Sequence, residues 1–260
     1  MENATVPETS QSRIDVEPHI PAQSKRIALC GPCAAKGAKH CEAAANDFGR
    51  QLREHRIEIE PVDRAVRPRR NVYVAGEMCD DAYVMCRGWA CRVIRLAEGR
   101  RQILSYLLPG DLFSPTAPFQ QSLDFFVEAI TEVRYAAIDR RQLRALIASN
   151  PKALAAFADS CVAAVRSAEH KLADLGQHLA DEKIVLLILQ LMERLQERGL
   201  VHDQCFEFPV RQQHIADTVG LTSVHVSRVM GAFRKGGIIE AGENVLKIRK
   251  LDELRRIAGK

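Results

Sequence analysis

The sequence predicts an α+β chain built as an antiparallel β-barrel, then one long helix, then a pair of crossed helices closed by a small hairpin. Three patterns carry this. Short apolar runs punctuated by Gly, Pro and Asp fill residues 57–143. Apolar residues then recur at steps of three and four for more than three heptads. Near the C-terminus, small, glycine and apolar residues stand at the spacing of two helices meeting at a tight turn.

Residues 1–27 are rich in Ser, Gln, Glu and Pro without periodicity and read as a disordered arm. Residues 28–149 form the next unit, a cysteine loop followed by the barrel. Phe48 and Leu52 mark a short helix over 44–56, before the barrel strands. The strand runs are Asn71–Val74, Ala82–Cys86, Ala90–Leu96, Gln102–Leu108, Phe125–Ile130 and Tyr135–Ile138. Turn signals separate them at Gly76, Gly88, Glu98-Gly99 and Pro109-Gly110-Asp111. Many short strands at even spacing suit a jelly roll or other closed antiparallel barrel.

Residues 150–180 form the long helix, with Asn150 as N-cap and Pro151 at the first helical position. Phe157, Cys161, Ala164, Ala168, Leu172, Leu175 and Leu179 give it a coiled-coil-like seam, read as the interface of a parallel homodimer. The alternative is an amphipathic helix packed on its own barrel. Residues 181–260 hold a further amphipathic helix, stopped at Gly199, and the C-terminal unit.

In that unit Ala216 allows two helices to approach, Gly220 suits the left-handed turn, Thr222 caps the second helix and Val226 faces the core between them. Strands at Ile238–Glu240 and Val245–Ile248 flank a Gly242-Glu-Asn turn, which makes a winged helix-turn-helix. The last 50 residues carry ten Lys and Arg against five Asp and Glu, more than the whole net charge of +4. A basic winged helix-turn-helix on a neutral body points to double-stranded DNA. Gln213, Thr222, Ser223, Val224, Ser227, Arg228 and Lys235 are the candidate DNA-binding residues. Arg228 can grip guanine O6 and N7, while Val224 offers only an apolar contact.

Other classes are disfavoured. The first residues have no basic n-region or apolar h-region, and Ile184–Met192 is too short to span a bilayer, so a cytoplasmic protein without membrane contact is expected. Eight cysteines there suit metal binding, redox sensing or burial better than disulfides. No His lies between Ile57 and Leu143, so a metal-dependent enzyme on the barrel lacks ligands, and no cysteine stands at a recognisable spacing from a partner base. The chain is read as a non-enzyme. Cys30-Gly-Pro-Cys33-x7-Cys41 can wrap one metal centre, with Lys25, Arg26, Lys36 and Lys39 nearby favouring thiolates.

The order of these units, with Glu98-Gly-Arg-Arg-Gln-Ile-Leu104, Leu108-Pro-Gly-Asp111 and Ile215-Ala-x3-Gly-Leu-Thr-x3-Val-Ser-Arg228, resembles the CRP/FNR family of bacterial transcription regulators. The resemblance spans roughly residues 28–258. It implies a cyclic-nucleotide-binding-like barrel, a dimer reading a two-fold symmetric operator, and contact with RNA polymerase. The family's cAMP pocket has an Arg followed by Ser or Thr where this chain reads Ser114–Ser122, and no Lys or Arg occurs between Gln102 and Val133. No cyclic nucleotide is therefore expected.

The cysteine spacing is similar to that of the FNR branch, especially its FnrN/FnrL-type members. This implies an oxygen-labile [4Fe-4S] cluster on Cys30, Cys33 and Cys41 that controls dimerisation. The fourth cysteine of that branch lies on the last barrel strand, where this chain has none. The barrel resemblance pairs Val84–Cys86 with that strand, so Cys86 is the candidate fourth ligand. Cys79 in a loop and His40 are alternatives, and Cys91 belongs to the opposite sheet. Cys161 and Cys205, the latter read in a loop, default to small buried hydrophobes. FNR proteins also carry a Glu at the position of Val224, so the operator should differ from theirs at one base pair. The alternative is a cluster-free, FixK-like regulator governed by cysteine oxidation, haem or another barrel ligand.

Overall fold

A computed structural model of the chain describes residues 59–61 and 65–259. The arm, the 44–56 helix, Cys30, Cys33, His40 and Cys41 lie outside the described residues. Seven strands form the barrel: β1 (Ile59–Pro61), β2 (Asn71–Tyr73), β3 (Asp81–Arg87), β4 (Ala90–Arg95), β5 (Arg101–Leu107), β6 (Phe126–Ala129) and β7 (Arg134–Asp139). They make two antiparallel sheets, ordered β1-β7-β3 and β2-β6-β4-β5. Tyr73, Met85, Phe113, Val127 and Val133 are buried in the core between them. The six predicted runs fall on β2–β7.

The glycine turns form as their sequence demands. Gly88 closes the β3–β4 turn at φ +85°, and a Cβ there would lie 2.1 Å from Glu132 O and 2.8 Å from Thr131 Oγ1. The adjacent Trp89 N–H donates to that Thr131 oxygen. Gly88→Ala therefore meets both a left-handed backbone and a backbone oxygen that cannot swing away. The expected destabilisation is about 3 kcal/mol or more. The fluorescence of Trp89, the single tryptophan, reports it as an earlier urea midpoint.

Two helices follow directly. Asp139 ends β7 and caps α1 (Arg140–Ser149) by accepting from Gln142 N–H at 2.9 Å. Asn150 caps α2 (Pro151–Gln177) by accepting from Lys152 and Ala153 N–H. The sequence reading ran the barrel to residue 149 and missed α1, because strand and helix meet at one aspartate without a turn residue. Leu143, Leu146 and Ile147 of α1, with Ala153 and Phe157 of α2, pack on the outer side of β3 and β7.

The remaining chain forms α3 (Ala180–Gln196), β8 (Cys205–Glu207), α4 (Gln212–Val219), α5 (Ser223–Lys235), β9 (Ile239–Gly242), β10 (Val245–Ile248) and α6 (Leu251–Ile257). The small sheet is ordered β8-β10-β9. Cys205 is thus a strand residue, paired with Lys247, and not in a loop. A three-residue strand leaves little period to read, and the burial of Phe206 anchors it. One apolar cluster runs from Trp89, Ile103 and Tyr106 of the barrel through Ile188 and Leu191 of α3 to Ile215 and Val226. The Pro109-Gly110-Asp111 turn pins α3 to the barrel, with Asp111 carboxylate oxygens 2.5 Å from Arg194 and 2.7 Å from Arg198. Among the described residues no helix is long and apolar enough to cross a membrane.

Candidate nucleic-acid interface

The two crossed helices take the geometry their spacing dictates. Gly220 adopts φ +69°, and both its N–H and that of Leu221 donate to Ala216 O at 3.0 and 3.2 Å. Thr222 Oγ1 accepts from His225 N–H at 3.2 Å and starts α5. Ala216 and Val226 are buried between the helices, with Ile215, Met230 and Phe233 around them. This apolar seam fixes the angle of α5 and leaves its other face open. On that face Val224 is 78% exposed, an unusual exposure for a β-branched apolar side chain. Arg228 is exposed one turn further on, and Ser223 and Ser227 are half-buried beside them. Lys235 is exposed in the last turn.

The hairpin of β9 and β10 turns at Asn244, φ +58°, and forms the wing. Between wing and helices lies an open cleft of about 550 Å³, lined by Arg211, Gln213, Ser223, Arg234, Gly242 and Val245 among others. Gln213 is exposed, with its Nε2 donating to Asp217 Oδ1 at 2.7 Å. Arg211 and Arg234 were missed in the sequence. Both are exposed on the cleft. The wing spacing signalled a cleft here, but only the folded hairpin shows which cations border it. A basic cleft beside an exposed helix face can hold a phosphate backbone while α5 enters a major groove.

His214 sits behind this face. Burial, and then the charge of Arg101, hold its imidazole below the usual histidine range. Its Nδ1 accepts from Arg211 N–H at 3.2 Å, as a neutral ring can.

The long helix α2 divides its apolar residues between two faces. Phe157 is buried in its own chain, its ring 5.7 Å from that of Phe119. It therefore belongs to the chain's core and not to an open seam, a correction to the sequence reading. Lys171 also turns inward, donating from Nζ to Ile103 O and Leu104 O at 2.7 and 2.9 Å. Desolvation pushes its ammonium down to about 8. The outward apolar row is Leu154, Val162, Val165 and Leu172, while Leu179, expected on the seam, lies past the end of α2 as the extended N-cap of α3, a further correction. Cys161, Ala164 and Leu175 are half-buried and Ala168 is exposed. Val162 and Val165 are thus seam candidates that the sequence reading passed over.

The cysteines of the barrel separate as expected by strand. Cys86 lies on β3 at an irregularity in its pairing with β7, half-buried and packed against the cluster of Ala82, Val84, Ile138, Leu143 and Phe157. Cys91 is buried on β4 in the other sheet, and burial pushes its thiol up to about 12. Cys79 lies between β2 and β3 and donates to Asp81 O. Among the described residues no three His, Cys, Asp or Glu side chains are grouped to hold a metal ion.

Comparison with known proteins fits this geometry. The family model for the Crp-like helix-turn-helix domain matches residues 182–257, and that for the cyclic nucleotide-binding domain matches residues 63–150. The nitrogen fixation regulation protein FixK of Rhizobium meliloti is 34% identical over 193 residues, covering 74% of this chain and 84% of that protein. The chain belongs to the CRP/FNR family of transcription regulators. Another member, the transcriptional activator protein FnrL of Cereibacter sphaeroides, is 25% identical over 68% of this chain and 71% of its own length. The structure of FixK2 from Bradyrhizobium japonicum superposes with a TM-score of 0.68 at 23% identity, covering 76% of this chain and 96% of that one, and shows the shared fold. Within the family frame, α4 and α5 are the DNA-binding pair and α2 lies between the two matched domains. Family membership also places this chain among DNA-binding transcription regulators.

Proposed function

We propose that this CRP/FNR regulator senses oxygen or redox state through a [4Fe-4S] cluster held by Cys30, Cys33, Cys41 and Cys86. It acts in the cytoplasm as a homodimer on a two-fold symmetric operator, in contact with RNA polymerase. The observation that supports the sensor is the position of Cys86. Its strand, β3, flanks β7 on one side, and β1 flanks β7 on the other. The chain that carries the three N-terminal cysteines therefore enters the sheet on which Cys86 lies. Seventeen residues separate Cys41 from Ile59, ample reach at up to ~3.3 Å per residue. Cys86 is also half-buried, whereas Cys91 is sealed in the core with a thiol that resists ionisation. A bound cluster would supply oxygen-labile iron–thiolate bonds. The chain's own part is to hold Cys86 against the apolar cluster that also takes in Ala153 and Phe157 of α2, so that the ligand strand and the dimer helix share one apolar cluster.

The proposal includes no cyclic nucleotide. Ser114 is buried and bonds Thr116 Oγ1 at 2.7 Å, and the cavity beside this segment is about 10 Å³. A cation does reach it from α1, Arg140, but its guanidinium already donates to Ala117 O and Asp81 O.

A second reading has its own support. Relatives named FixK match at 34% and 30% identity, and the stretch Thr131–Ile138, where the FNR resemblance calls for a cysteine, has none. On that reading the regulator is cluster-free. Iron and acid-labile sulfide on protein purified without oxygen separate the two. About four of each per chain, with a visible spectrum that bleaches in air and is lost in Cys86→Ser, is the expected result. Colourless protein after anaerobic reconstitution overturns the sensor and leaves the FixK-like reading.

A further inference from the structure

The first DNA-binding helix, α4, is not held by its own unit alone. Three residues of barrel strand β5, Arg101, Gln102 and Tyr106, grip it. The Arg101 guanidinium lies between two carboxylates, with Nη1 3.1 Å from Glu128 Oε2 on β6 and Nε 2.7 Å from Asp217 Oδ2 on α4. Gln102 Nε2 donates to Thr218 O at 3.0 Å. Tyr106 Oη lies 2.8 Å from Thr218 Oγ1 and donates to His214 O at 3.2 Å. The side chain of Asp217 is only 8% exposed, so its charge depends on these partners. Its other carboxylate oxygen accepts from Gln213, which borders the DNA cleft. A chain of polar contacts thus runs from Glu128 in the barrel through Arg101 and Asp217 to Gln213. Lys171 of α2 bonds the carbonyls of Ile103 and Leu104 on the same strand. β5 is therefore held by the long helix at its middle and holds α4 at both ends.

We propose that Arg101 is a positioning residue for DNA binding: with Gln102 and Tyr106 it docks α4 on the barrel in the DNA-competent orientation. The docked arrangement leaves the outer face of α5 open, with Val224 and Arg228 exposed. It also orients Gln213 through Asp217. In a dimer, docking each unit on its own barrel sets the distance between the two α5 helices, and so the half-site spacing that is read. This last step rests on the two-fold reading given above.

The test uses the full-length chain, purified without oxygen, and an operator selected from a random duplex library. Operator affinity is compared for Arg101→Gln, Asp217→Asn and the double variant, on duplexes with the selected half-site spacing and with one or two base pairs inserted. Each single change is expected to weaken binding to the selected spacing by roughly tenfold, within the usual range of inter-site coupling. The double variant is expected to be no worse than the worse single, because the Arg101–Asp217 pair can be lost only once and Glu128 loses Arg101 equally in Arg101→Gln and in the double variant. The preference for the selected spacing is expected to flatten. A merely destabilising change lowers affinity on all spacings alike. Arg101→Gln binding as tightly and with the same spacing preference as wild type overturns the proposal, as do losses that simply add. If Arg101→Gln does not fold, Gln102→Ala combined with Tyr106→Phe replaces it, since it removes three polar contacts to α4 without stranding a charge; unchanged spacing preference there overturns the proposal equally. Wild-type protein indifferent to spacing would instead overturn the two-fold reading, and affinity at the selected spacing would then decide for or against Arg101.

Discussion

Arg228→Ala is expected to leave the fold intact and to remove operator selectivity. Arg228 is exposed on α5, so alanine there opens no cavity and suits a helix at least as well. Its guanidinium is the group on this face with the geometry to read a guanine bidentately, and each such pair discriminates by about 1–3 kcal/mol. A dimer contributes the residue twice. The loss on a two-fold operator is then about 2–6 kcal/mol, or roughly 30-fold to 10⁴-fold, while binding to unrelated DNA falls little. Anisotropy titrations against the selected operator and against one with the guanine replaced measure this directly. Both duplexes should bind the variant alike. A variant that still ranks them as wild type does would show that another residue reads that base. Lys235→Ala is the useful contrast, because a phosphate contact weakens all sequences together and lowers the salt dependence.

Legibility from sequence follows the locality of the physics. The DNA-binding pair was readable almost residue by residue because its determinants lie within about fifteen positions. Gly220 must take the left-handed backbone, Thr222 must cap, and Ala216 and Val226 must be buried, and the structure shows each. The barrel strands were readable for the same reason, the first four runs each ending at a glycine or proline turn. What failed was decided by partners distant in sequence. The helix α2 is rich in alanine, so its hydrophobic contrast is weak and two apolar rows compete. Phe119 claims Phe157 from 38 positions away, and β5 claims Lys171 through two carbonyls. Nothing local to α2 announces either contact. The gripping of α4 by Arg101, Gln102 and Tyr106 escaped notice likewise: the Glu98–Leu104 motif was read as a signature, not as a surface.

That division of α2 makes a sharp prediction about the dimer. Val165 is 56% exposed and Leu172, two turns on, is 72% exposed, on the row that also carries Leu154 and Val162. If this row is the seam, Val165→Glu with Leu172→Glu removes two buried apolar side chains from each chain, each contributing about 1.5–3 kcal/mol when fully buried. In a parallel seam it also sets like charges opposite one another across the two-fold axis. The expected result is a folded monomer by sedimentation, with the barrel's Trp89 emission unchanged. Operator affinity should fall to that of a single half-site, about 10³-fold or more below the dimer, because each unit then binds without the other's contacts. Phe157→Ala separates the two faces of the helix. It empties a site inside the chain and should lower stability by about 3–5 kcal/mol, while the seam row itself is untouched. A double glutamate variant that still sediments as a dimer would place the interface elsewhere. It would also return α2 to the simpler role of a helix packed only on its own barrel.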